Sequence, residues 1–145
     1  MQGWLHHIPA KDKIEYINTL LQVGFDTIDF GSFVSPKAIP QMADTKEVLN
    51  ELEIENSGSK LLAIVANTRG AIEAADYEKI TYLGFPFSIS PTFQLRNTNS
   101  TMEESLERVE EISNICAQKN KKLVVYLSMR RSGFRSVHNR SYDKW

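Results

Sequence analysis

The stretch KLLAIVA, residues 60–66, is apolar at every position after its opening lysine. Alternating polar and apolar residues would indicate a strand with one solvent-exposed face, whereas an unbroken apolar run is typical of a parallel strand that is covered on both faces. Helical patterns flank this run, over residues 45–55 and 69–76. A strand between two helices predicts a βαβ unit, so the stretch predicts a parallel α/β sheet.

The same alternation extends in both directions along the chain. Further strands are predicted over residues 25–30, 80–89 and 123–127, and a helix over 11–23 is expected to stop at Gly24. Asp44 is expected to cap the helix over 45–55. Thr101 and Glu104 form a capping box that opens a long helix. The predicted buried stripe of that helix is Met102, Leu106, Val109, Ile112, Ile115 and Cys116.

The spacing of the strands limits the architecture without deciding it. Strand starts fall near residues 25, 60, 80 and 121, a mean interval of about 32 residues, and a (β/α)₈ barrel averages roughly 31. A doubly wound sheet has a similar interval between strands, so the spacing is compatible with both architectures. No glycine-rich phosphate loop follows a strand, which disfavours the nucleotide-binding versions.

Composition excludes several classes of protein. The chain has 145 residues, a net charge of −1 and a single cysteine, Cys116, so no disulfide can form within it. Nothing in the charge favours nucleic acid, and no apolar run reaches the roughly 18 residues that predict a membrane span. The first residues lack the pattern of a signal peptide. We expect a cytoplasmic protein with no nucleic-acid or membrane partner.

Polar residues at strand ends are the candidates for a site. Asp29 ends an apolar run, and a carboxylate buried there must be paired, hydrogen-bonded or shifted in pKa. It either caps the following loop or orients a catalytic group or substrate. Asn67 follows the strand at 60–66 and could simply cap the next helix, and Asn97 lies in polar, turn-like sequence before a helix. No histidine or cysteine pattern predicts a metal cluster in this chain.

Four segments together resemble one enzyme family. They are FDTIDFGSFVSPKAIPQMADTKEVL (25–49), LLAIVANTRGAIEAA (61–75), FPFSISPTFQLRNTNSTMEESLERVEEI (85–112) and LVVYLSM (123–129). They are similar to the N-terminal half of hydroxymethylglutaryl-CoA lyases, and the run SFVSPK…PQM is specific for them. The resemblance covers roughly residues 1–129.

The resemblance implies a TIM barrel of which this chain holds about four of eight strands. It also implies retro-Claisen cleavage of 3-hydroxy-3-methylglutaryl-CoA to acetyl-CoA and acetoacetate, in leucine degradation and ketone-body metabolism. The family's cofactor is a divalent metal, Mg²⁺ or Mn²⁺, and the implied partner is the acyl-CoA substrate.

The resemblance implies roles for individual residues, according to the family position that each one matches. Asp29 stands where the family has a glutamate near the catalytic centre, and Gln2 matches a glutamine beside the metal site. Both are candidate catalytic residues. Ser32, Asn67 and Asn97 are candidate substrate-binding residues, Asn97 near the CoA arm.

The sequence also departs from the family. The Arg-Asp pair that ends the family's first strand is not found, nor are its metal-binding H-x-H and its catalytic cysteine. We therefore expect residues 1–129 to form an incomplete barrel domain, followed by a divergent basic tail over 130–145, and the chain alone to be inactive. The alternative is a non-catalytic half-barrel that binds an acyl-CoA or pairs as a homodimer.

Overall fold

A computed structural model describes residues 6–128, apart from the side chain of Asn97. The helices are α1 (Ala10–Val23), α2 (Thr45–Asn50), α3 (Thr68–Ala75), α4 (Pro91–Thr98) and α5 (Met102–Gln118). The strands are β1 (Thr27–Ser32), β2 (Lys60–Ile64), β3 (Ile80–Ser88) and β4 (Lys122–Ser128). Short 3-10 turns cover Pro40–Met42 and Ile54–Asn56.

The four strands form one parallel sheet in chain order, β1-β2-β3-β4. Each pair of neighbours is joined by a segment that contains at least one helix. The predicted parallel α/β architecture is therefore confirmed. No helix in residues 6–128 is both long and apolar enough to cross a membrane.

The hydrophobic core lies on one face of the sheet, beneath the helices. Alternate strand residues point to opposite faces, and those on this face include Phe30, Leu61, Ala63 and Phe85. Helices α1, α2, α3 and α5 contribute Ile17, Leu21, Val48, Leu49, Ala71, Ala74, Ile112 and Cys116 to the same cluster. Cys116 is 3% exposed, so its prediction as part of the buried stripe of α5 is confirmed, and burial raises the pKa of its thiol.

The opposite face, which we call the inner face, carries a different set of residues. They are Asp29, Leu62, Ile64, Tyr82, Gly84, Pro86, Val124 and Tyr126. Leu62 is buried but lies outside the main core cluster, which places it on this side. Residues 61–63 are all buried, so the prediction of a strand with two buried faces is confirmed for the middle of β2.

A buried ion pair fastens the loop after β1 to helix α1. The Lys13 side chain is 2% exposed, and its Nζ donates to both Asp44 carboxylate oxygens at 2.7 and 2.8 Å. The same Nζ donates to the Gln41 carbonyl, and the Gln41 amide bonds the backbone at Ile8 and His6. Asp44 occupies the N-cap position of α2 as predicted, but its carboxylate binds Lys13 and accepts no cap hydrogen bond.

Several element boundaries differ from the sequence expectation. Strand β1 begins two residues later than predicted and continues to Ser32. Helix α2 ends at Asn50 rather than 55, where Lys79 Nζ binds the carbonyls of Leu49, Asn50 and Leu52. A lysine that satisfies the last carbonyls stabilises a helix end at that point.

Helix α4 was not predicted. Its sequence PTFQLRNT has no clear apolar stripe, but Pro91 suits the first helical turn and the Ser90 side chain caps it. The capping box of α5 is confirmed, with Thr101 and Glu104 bonded reciprocally. The prediction that Leu106 belongs to the buried stripe of α5 is wrong, because this residue is 58% exposed.

Candidate functional site

Polar side chains gather at the carboxyl ends of the strands. Ser32 ends β1, Ser88 ends β3 and Ser128 ends β4, and Ser88 and Ser128 are register partners. Asn67 follows β2 by three residues. Carboxyl ends of parallel strands meet at one edge of a sheet, which is where ligands bind in barrel enzymes.

Asp29 lies inside β1 rather than at its end, as the third of six residues. It pairs with Leu62 and therefore belongs to the inner face. The expectation that it is buried is wrong, because its side chain is exposed among the described residues. Burial by the surrounding sheet still removes part of the hydration of the carboxylate and raises its pKa above 3.8.

The Ser32 hydroxyl is buried without a partner. The residue is 3% exposed, and its Oγ has no hydrogen-bond partner within the described part of the chain. Its backbone N–H donates to Thr45 Oγ1 at 3.4 Å. A buried hydroxyl left unpaired costs free energy, which makes Ser32 Oγ an unusual atom among the described residues.

The Asn67 side chain is engaged in a helix cap. Its Oδ1 accepts a hydrogen bond from Gly70 N at 2.9 Å at the start of α3. Helix α3 also lies close to the loop after β1, since a Cβ atom on Gly70 would clash with the Phe33 carbonyl oxygen. The structural alternative stated for Asn67, a cap of the next helix, is thus observed.

A buried polar network fixes the end of β3. Gln94, 1% exposed, accepts a hydrogen bond from Ser88 N at 2.7 Å and donates to Thr98 Oγ1 and Ser105 Oγ. Ser100 joins the same network. These bonds tie β3 to α4 and α5, and they explain why α4 forms despite its weak pattern. Thr98 lies in the same helix, but Ser88 and Ser105 belong to β3 and α5, so sequence periodicity could not locate this network.

Three of the sequence expectations cannot be placed in the site. Gln2 and the tail 130–145 lie outside the described residues. Asn97 lies within α4 rather than in a turn, and its side chain is not described. The structure therefore brings Asp29 and Ser32 onto the same strand, with Asn67 beside the adjoining strand end.

The described residues do not provide a set of ligands for a divalent metal. Within residues 6–128, no three histidine, cysteine or carboxylate side chains come together. Mg²⁺ and Mn²⁺ favour oxygen ligands, of which carboxylates are the usual protein source. Residues 6–128 therefore do not fit such an ion by themselves.

Sequence relatives share a single description. The chain is 32% identical over 131 residues to the mitochondrial hydroxymethylglutaryl-CoA lyase of Arabidopsis thaliana, covering 88% of this chain and 27% of the relative. It is 33% identical over 128 residues to the 3-hydroxy-3-isohexenylglutaryl-CoA/hydroxymethylglutaryl-CoA lyase of Pseudomonas aeruginosa, covering 88% and 42%. No family model matches the chain.

Solved structures that superpose on the chain are also HMG-CoA lyases. The HMG-CoA lyase of Bacillus subtilis superposes with a TM-score of 0.81 at 32% identity, over 87% of this chain and 42% of that one. An Acinetobacter baumannii HMG-CoA lyase in complex with coenzyme A and 3-methylmalate gives a TM-score of 0.79 at 30% identity, over 87% and 40%. The chain thus spans less than half the length of these relatives, and it is similar to one part of the TIM barrel of hydroxymethylglutaryl-CoA lyases.

Proposed function

We propose that the chain contributes to a hydroxymethylglutaryl-CoA lyase that cleaves 3-hydroxy-3-methylglutaryl-CoA to acetyl-CoA and acetoacetate. The observation that carries the proposal is the match to such lyases over 88% of the chain at 32–33% identity. The alternative of a non-catalytic half-barrel draws no support from these relatives. Roles in leucine degradation and ketone-body metabolism, a cytoplasmic location and a homodimer belong to the same proposal.

The proposed reaction is a retro-Claisen cleavage. A base removes the proton of the tertiary alcohol, the oxygen becomes a ketone, and the carbon–carbon bond breaks. The electron pair of that bond passes to the acetyl-CoA fragment as an enolate, which then takes up a proton. The protein must therefore accept one proton, donate another and orient the alcohol.

Asp29 is suited to hold or accept a proton in this scheme. Its carboxylate stands on the inner face, and burial raises its pKa, so it is a stronger base than an ordinary aspartate. A base works best when its pKa is moved toward the working pH. Its role as a catalytic residue is a proposal that rests on this position and on the resemblance.

Ser32 and Asn67 are proposed to orient the substrate. The unpaired Ser32 Oγ provides a donor and acceptor at the strand end. Asn67 already uses Oδ1 in the α3 cap, so we propose that it acts by fixing the loop beside Ser32. Asn97 near the CoA arm and Gln2 beside the catalytic centre stay predictions, and a divalent metal is expected to be held by residues outside 6–128.

Two preparations test the proposal. The native gene product, isolated from its source cells, is assayed for release of acetoacetate from 3-hydroxy-3-methylglutaryl-CoA in the presence of Mg²⁺ or Mn²⁺, and its intact mass is measured. We expect turnover by the native product. We expect its turnover rate to fall at least about a hundredfold with Asp29→Asn, which is in the range for removal of a general base.

The recombinant 145-residue chain serves as the second preparation. We expect it to show no turnover above background, because the described residues gather no metal ligands. A native product of 16.5 kDa that fails to cleave the substrate would contradict the proposal. Cleavage by the recombinant chain alone would contradict the assignment of essential groups to residues outside it.

A further inference from the structure

Strand β1 carries one extra residue shortly before its end. Asp29 and Gly31 pair with consecutive residues of β2, which leaves Phe30 without a register partner of its own. An extra residue of this kind is a β-bulge, and bulges beside active sites change the direction of side chains. The bulge at Phe30 therefore interrupts the alternation of faces along the last residues of β1.

This interruption places Ser32 on the inner face. In a regular strand every second residue points to the same side, so Gly31 would join Asp29 on the inner face and Ser32 would point to the helices. In the structure, Gly31 pairs instead with Ala63 of the core. Ser32 pairs with Ile64 of the inner face. Asp29 and Ser32 therefore point to the same side of the sheet, although they lie three positions apart.

Thr45, the first residue of α2, packs on the other side of this bulge. A Cβ atom added to Gly31 would lie 2.9 Å from Thr45 Cγ2 and 3.2 Å from Thr45 Oγ1, so the threonine fills the space that the glycine leaves free. The backbone of Gly31 does not have a positive φ. The threonine side chain, and not the backbone conformation, therefore excludes a larger residue at position 31.

The Thr45 hydroxyl also joins the bulge to the following loop. It donates to the Met42 carbonyl oxygen at 2.8 Å and accepts a hydrogen bond from Ser32 N at 3.4 Å. Thr45 is 5% exposed and Ser32 is 3% exposed, so little water competes for these bonds. Thr45 thus contacts both the residue that faces the helices and the residue that faces inward.

We infer that the bulge in β1 directs the Ser32 hydroxyl to the inner face, and that Thr45, packed on Gly31, is the positioning residue that holds it there. The unpaired Ser32 Oγ then lies on the same side of the sheet as the Asp29 carboxylate. The inference rests on the proposed function for its ligand, a hydroxyacyl thioester. It deepens that proposal, because it gives a residue on the opposite side of the strand a part in orienting the substrate.

The first experiment tests the direction of Ser32 without a ligand. The 145-residue chain is labelled with ¹³C and ¹⁵N, and the nuclear Overhauser contacts of the Ser32 β-protons are measured. We expect contacts with the Ile64 side chain and none with the Ala63 methyl group. Contacts with Ala63 in place of Ile64 would overturn the direction assigned to Ser32.

Paired substitutions in the same chain test the contact between Thr45 and Gly31. Gly31→Ala places a Cβ atom against Thr45, so we expect the contact of Ser32 with the inner face to be lost. Thr45→Ser removes the methyl group that blocks this Cβ atom, so it should restore the contact in the double variant. Gly58→Ala is the matched control, because a Cβ atom there meets nothing within 4 Å. A Gly31→Ala chain that keeps the contact, or a double variant that does not regain it, overturns the role of Thr45.

A separate substitution tests the hydroxyl and does not depend on the folding of Gly31→Ala. Thr45→Val keeps nearly the same shape and removes the oxygen. We expect the Ser32 amide proton resonance to move upfield with Thr45→Val, because its hydrogen bond is lost, and to stay in place with Thr45→Ser. An amide proton that does not respond to Thr45→Val shows that the hydroxyl does not hold Ser32.

Kinetics of the native gene product test what the direction of Ser32 does. We expect Gly31→Ala to lower kcat/KM about tenfold, the scale of one hydrogen bond, and Thr45→Ser to restore it in the double variant. In a Ser32→Ala background, Gly31→Ala should change kcat/KM by no more than about twofold, because the group that it misdirects is already absent. Additive losses would show that Gly31 and Thr45 act on the fold and not through Ser32, which overturns the inference.

The outcomes separate this inference from the proposed function. A native product that does not cleave the substrate contradicts the proposed function and, with it, the ligand assigned to Ser32. The direction of Ser32 and the contact that holds it are decided by the spectra of the 145-residue chain alone.

Discussion

The position of Asp29 on the inner face raises its pKa and thereby lowers the stability of the fold at neutral pH. Its carboxylate is reached by solvent, yet the sheet around it raises its pKa. A raised pKa means that the folded state holds the proton more firmly than the unfolded state does. The ionised form of Asp29 therefore destabilises the fold, and this cost grows as the pH rises from 3.8 through the folded-state pKa.

Asp29→Asn is accordingly expected to stabilise the chain at pH 7. The gain should be modest, up to about 0.5 kcal/mol, because the side chain is exposed and water screens its charge. It should vanish below pH 3.8, where the aspartate is also neutral. Urea unfolding of both proteins at pH 7 and pH 3 measures the difference, and a less stable Asp29→Asn at pH 7 would contradict it.

Elements are held in place by lysines that were not recognisable as structural from sequence. Lys13 joins α1 to the loop after β1, and Lys79 closes the end of α2. Lys121 Nζ donates to the carbonyls of Tyr77, just before β3, and of Ile80, the first residue of β3. In sequence, each of these lysines resembles an ordinary surface residue, since its partners lie about thirty to forty positions away.

Lys13→Ala is expected to lower the free energy of unfolding by about 3 kcal/mol. It would leave the Asp44 carboxylate and the Gln41 carbonyl without their shared partner, and breaking one side of a buried ion pair costs about that much. Lys11→Ala is the matched control, because Lys11 is exposed on the same helix, and it should change stability by no more than about 0.5 kcal/mol. Equal effects of the two substitutions in urea unfolding would show that the ion pair does not hold the loop.

The whole sheet has a protected centre and two outer strands. Within the described residues, β2 and β3 are paired on both sides, whereas β1 and β4 are paired on one. Leu127, 70% exposed, and Tyr126 lie on β4, and Phe25, 50% exposed, lies just before β1. Stability should therefore be graded across the sheet, highest in the middle.

Amide hydrogen exchange of the 145-residue chain should reveal this gradient. We expect the amides of β2 and β3 to exchange at least about tenfold more slowly than those of β1 and β4, or ~1.4 kcal/mol in opening free energy. The same amides in the native gene product provide the comparison. If that product contains further strands that pair with β1 and β4, the gradient should shrink there, and a uniform rate in the 145-residue chain would contradict the expectation.

The sequence by itself determined the order of the four strands, the capping box at Thr101, the stop at Gly24 and the similarity to hydroxymethylglutaryl-CoA lyases, because these depend on residues close together in the chain or on long similar segments. The tertiary structure alone decided the partner of Asp44, the existence of α4 and the exposure of Asp29. Each of these depends on atoms that folding brings together from distant positions, and a pattern of spacing carries no information about such contacts.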